Sequence, residues 1–123
     1  MKNVLIAIFL TASYAMTAEI DPRQLQQSAK MATTPAAHAK VASAYSDWAE
    51  SLTLKAREHE QEGERLAKQA ASTAMSHKWP ALAYGSANRE RRIAMQVHRA
   101  ASEARAIAKF HTNKAEILAD GVD

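Results

Sequence analysis

The five histidines, His38, His59, His77, His98 and His111, are the side chains of this sequence best suited to chemistry. A neutral imidazole is a common ligand of zinc, copper and nickel, and its proton comes and goes near neutral pH. The chain has no Cys, so a metal site here draws on nitrogen and oxygen ligands only. His59 and His98, helped by Glu62 or Glu58, form the candidate metal set. No two histidines stand four residues apart, so the ligands must come from two segments brought together. The competing use of the same residues is structural. In that reading His38, His59 and His111 are polar positions that fix a packing register, and His77 and His98 face solvent.

Other chemistry finds little support. The acidic run Glu58, Glu60, Glu62 and Glu64 reads as the wet face of a helix. Gly63, Gly85 and Gly121 are too scattered for a phosphate-cradling loop, and no nucleophile with an adjacent base is evident. A narrow helical protein offers no room for the usual substrate pocket. The expectation is a non-enzymatic protein without a bound cofactor. Arg89, Arg91, Arg92, Arg99 and Arg105 make a basic stripe, but the whole chain carries 16 basic against 13 acidic residues. That balance, without interleaved aromatics for base stacking, argues against nucleic acid as a partner.

The elements that must position these residues are helices. Of 123 residues, 28 are Ala and only seven are aromatic, which suits helices and offers little to a sheet. Thr34 can cap a helix that begins at Pro35. From there positions 38, 42, 45, 49, 52, 56, 59, 63, 66 and 70 follow a 4,3 alternation, the spacing of a heptad seam. A second run occupies 87, 90, 94, 97, 101, 104, 108, 111, 115 and 118, with Ser86 or Asn88 as its cap and Gly121 as its stop. Between them Trp79-Pro80 and Tyr84-Gly85-Ser86 interrupt the pattern. The sequence therefore predicts an all-α chain whose main feature is a long antiparallel, Ala-rich, coiled-coil-like hairpin over residues 35–119. Its helices run over about 35–72 and 86–119, joined by 73–85. Folding about the middle of the connection makes facing residue numbers sum to roughly 157. Gly63 then faces Ala94, Ala56 faces Ala101 and Ala49 faces Ala108. The acidic run falls opposite the arginines, His59 lies beside Val97 and His98, and His38 and His111 stand ~10 Å apart along the axis.

Upstream of the hairpin, Lys2 precedes an apolar run from Val4 to about Ala12, followed by small residues to Ala18. This is the layout of a signal peptide. Cleavage after Ala15 matches the small-x-small rule best, and cleavage after Ala18 is the alternative. Residues 1–15 are thus expected to direct export to the periplasm or the extracellular space, with 16–34 as a linker containing one short helix from Pro22. Membrane contact is expected only through the signal segment, should it stay uncut.

Residues 36–119 hold 17 apolar side chains larger than Ala. A two-helix hairpin has one seam and cannot enclose them all. The expected remedy is a partner: a second copy making a four-helix bundle, the chain's own flanking segments, or another exported protein. Trp48, Trp79, Tyr84, Ile93, Ile107 and Phe110 are the candidate contact residues. The function read from the sequence is therefore an exported binding or assembly protein acting through helix-face contacts. A small periplasmic metal-binding protein and a holdase-like chaperone are the alternatives.

Overall fold

The computed structural model describes residues 20–74 and 84–121. The signal segment with both cut sites, His77 and Trp79 lie outside the described residues. Among the described residues there are three helices and no strand: α1 (Pro22–Met31), α2 (Pro35–Ala74) and α3 (Gly85–Asp120). No helix is long and apolar enough to cross a membrane, among the described residues. The chain divides between Ala32 and Thr33, with α1 in the first unit and α2 and α3 in the second.

Each helix start follows from its own residues. In α1 the Arg23 N–H donates to Asp21 Oδ1 at 2.9 Å, the backbone at Asp21 is extended, and proline occupies the first turn. Extended backbone at Ala32 ends it. In α2 the Ala37 N–H donates to Thr34 Oγ1 at 3.1 Å and the His38 N–H to the Thr34 carbonyl at 3.0 Å, while Pro35 sits where its missing N–H costs nothing. The start of α3 differs from the sequence expectation. Tyr84 stands at the N-cap without a side-chain bond, and Ser86 and Asn88 fall inside the helix. At the far end the Gly121 N–H donates to the Ile117 carbonyl at 3.0 Å.

Helices α2 and α3 pack antiparallel along the two heptad runs. All ten positions of each run are buried or half-buried, Ala56, Ala87 and Ala101 completely so. Small side chains dominate this seam, which lets the two backbones approach closely.

The register lies between the expected one and a slide of one heptad. His98 bonds Glu60 and Arg105 bonds Thr53, and both pairs of numbers total 158, close to the expected 157. His38 bonds His111 and His59 bonds Glu90, and these pairs total 149. A Cβ on Gly63 would touch Arg91 Cγ at 3.4 Å and the Ala87 carbonyl oxygen and Glu90 Cβ at 3.5 Å, so Gly63 sits nearest residues 87–91 rather than Ala94. The middle of these contacts is displaced by about half a heptad, ~5 Å, from the symmetric fold about the connection. A polar group taken from water without a hydrogen bond costs a few kcal/mol, roughly 1–3 per group. In the observed position each of the polar seam residues His38, His59, Glu90 and His111 has a polar partner.

Candidate functional site

The two flanks of the α2–α3 seam differ in chemistry. One flank is polar and cross-linked. There the His98 Nε2 and Glu60 Oε1 lie 2.6 Å apart, and Arg105 donates from its guanidinium to Thr53 Oγ1. The other flank is aromatic and apolar. The ring of Tyr45, 2% exposed, lies 6.1 Å from that of Trp48 and is stacked parallel to that of His111 at 6.4 Å. Phe110 meets His111 edge-on at 5.2 Å. A row of rings therefore runs from Trp48 on α2 through Tyr45 and His111 to Phe110 on α3.

The helical repeat extends this flank along α3. Ile107 and Phe110 are three residues apart, Ile117 follows one heptad after Phe110, and Ile93 lies two heptads before Ile107. Val41 on α2 is buried and Trp48 half-buried, but Phe110 is 60% and Ile117 64% exposed. Ile107 is also exposed, at 37%, and Ile93 is half-buried. Leu54 and Met95 are also exposed, yet each stands alone on another face, which is ordinary for a protein surface. Of the contact residues expected from the sequence, the structure gathers Trp48, Ile93, Ile107 and Phe110 along one flank. Tyr84 is at the opposite end of the helix pair, where α3 begins.

The histidines are arranged otherwise than the candidate metal set requires. His59 Nδ1 meets Glu90 Oε2 at 2.5 Å, His98 meets Glu60, and Glu62 is held by Arg65 on its own helix at 2.6 Å. The Arg65 guanidinium bonded to Glu62 lowers that carboxyl's pKa from its ordinary value. His59, His98 and Glu62 are thus divided among three pairs: His98 lies beside the turn of residues 59 and 60 but bonds Glu60, His59 bonds Glu90, and Glu62 bonds Arg65. No group of three or more His, Asp or Glu is placed to hold a metal ion, among the described residues. The expected ladder of acids and arginines does not form: among the described residues, no arginine of α3 bridges a carboxylate of α2.

The contact that sequence reasoning missed is His38 with His111. Expected ~10 Å apart along the axis, they join Nδ1 to Nδ1 at 2.8 Å, with ring centroids 5.1 Å apart. They are 6% and 5% exposed, and burial followed by the charge of His38 lowers the His111 pKa from its ordinary value. The signal was present in the sequence, since both stand on seam positions. Only the register concealed the pairing.

Comparison with family models, with curated proteins and with solved structures finds no match to this chain.

Proposed function

We propose that this protein is an exported, non-enzymatic association module whose apolar flank binds the same flank of a second copy, giving a four-helix, coiled-coil-like bundle. The observation that carries the reading is the row of Trp48, Ile107, Phe110 and Ile117 beside the seam, with Phe110 and Ile117 more than half exposed. Two helices bury one stripe each, and a wider apolar stripe calls for a third layer. Side chains of this type at the centre of a contact supply most of its energy. The opposite flank, closed by His98–Glu60 and Arg105–Thr53, has its polar groups already engaged within the chain. Export rests on Lys2 and the apolar run after it, a segment that ends before the first described helix begins at Pro22.

The reading is tested by co-expressing a tagged and an untagged copy and isolating the tagged one. The untagged copy is expected to follow it, and Phe110→Lys with Ile117→Lys is expected to abolish that. Arg105→Ser, on the other flank, is expected to leave it unchanged. Failure of the untagged copy to follow contradicts the homodimer. Mass spectrometry of the isolated protein reads its N-terminus, with Met16 expected after cleavage and Met1 contradicting removal of the signal.

A further inference from the structure

The His38–His111 bond lies at the end of the helix pair where α2 begins and α3 finishes. Its chemistry differs from that of the other histidine contacts. Between two Nδ1 atoms, one ring must donate its N–H and the other must accept with a bare lone pair. When both rings carry two protons, two donors face each other and no bond remains. His59 and His98 instead meet the carboxylates of Glu90 and Glu60. An imidazole nitrogen bearing hydrogen donates to a carboxylate whether or not its other nitrogen is protonated. Protons that break the end bond therefore leave the middle ones in place.

The surroundings of the end pair offer nothing to compensate two positive charges. Both rings are buried, Tyr45 faces His111 from α2 in parallel stacking, and Phe110 closes the edge. Burial raises the pKa of the Tyr45 phenol, which is neutral throughout the acid range. Among positions three and four residues from His38 or His111, the one charged residue is Lys114, itself a cation. No carboxylate of either helix occupies such a position.

We propose that His38 and His111 form an acid-sensitive latch. Protonation of both rings parts the α2 start from the α3 end while His59–Glu90 and His98–Glu60 hold the middle together. Opening would expose Tyr45 and the last seam alanines beside Phe110 and enlarge the apolar flank at that end. The latch is a property of the single chain and does not depend on what binds that flank.

The absence of cysteine makes the test direct, because paired labels can be introduced without background in the full chain. Spin labels at Ala39→Cys and Thr112→Cys report the latch end, and labels at Glu64→Cys and Asn88→Cys report the other end of the seam. Distances are compared at about pH 7.5 and about pH 5, on either side of the ordinary imidazole pKa. The expected result is a latch-end distribution that becomes longer and broader in acid while the other stays narrow. His38→Leu with His111→Leu is expected to remove the change. Should that variant not fold, His111→Asn replaces it, keeping a partner for His38 without a titrating ring, with the same expectation. An unchanged latch-end distance in acid, equal lengthening at both label pairs, or a shift that persists in the substituted chain would each overturn the proposal.

Discussion

His59 Nδ1 and Glu90 Oε2 meet at 2.5 Å across the seam, two polar side chains on heptad positions of helices that approach chiefly through alanine. The contact helps to fix how far the two helices are displaced along each other. Glu90→Ala leaves the half-buried His59 without its partner, and stability is expected to fall by about 1–2 kcal/mol. His59→Leu with Glu90→Leu is expected to recover most of it, since a matched apolar pair replaces the bond. Urea unfolding of the three proteins measures both. A double variant no more stable than Glu90→Ala would contradict this account.

Gly63 is buried opposite Ala87, yet a methyl group there meets its nearest neighbours, Arg91 Cγ at 3.4 Å and the Ala87 oxygen at 3.5 Å, at ordinary contact distance. Close packing therefore does not require glycine at this position. Gly63→Ala is expected to stabilise the helix pair by roughly 0.5–1 kcal/mol through helix propensity. A lower melting temperature for that variant would mean that the helices approach more closely than the structure shows.

Ala56 and Ala101 are both fully buried within the seam. A larger side chain at either must push the backbones apart along neighbouring layers. Ala56→Leu is expected to cost about 1–3 kcal/mol, the usual penalty for overpacking. Ala39→Leu, on an exposed position of the same helix, is expected to change stability little. Equal melting temperatures for the two variants would contradict a close small-residue seam.

Stability should also depend on pH in a definite direction. Burial, and then the charge of His38, lowers the folded-state pKa of His111 from 6.5. Above that value both folded and unfolded chains hold it neutral, and its contribution is complete. As pH falls below it, the unfolded chain takes up the proton first, so stability is lost on acidification. Denaturant midpoints measured across this range should decline toward acid, and His111→Phe should flatten that part of the profile. A wild-type midpoint that rises toward acid would contradict the burial of this ring.

Much of this architecture is legible in the amino-acid sequence, and the reasons are local. Thr34 followed by Pro35 and the 4,3 spacing of His38 through Ala70 depend on helical geometry alone. Burial along both runs follows that spacing. Register is a relation between two helices, and small alanines recurring along both seams fix it only loosely. The information lies in His38, His59, Glu90 and His111, whose positions make sense only when each is asked which polar partner it meets. Charge is a weaker guide, because exposed pairs are worth about 0–1 kcal/mol and so yield to the seam. The gathering of Trp48, Ile107 and Phe110 on one flank follows from helical spacing once the buried seam is fixed.

The most direct test of the association reading is the mass in solution of the protein isolated from producing cells, measured by sedimentation equilibrium over a range of concentrations. Twice the single-chain mass is expected, falling to the single-chain mass for Phe110→Lys with Ile117→Lys. A single-chain mass for the unaltered protein at every concentration would contradict the account, since the exposed row beside the seam would then remain uncovered by a second copy.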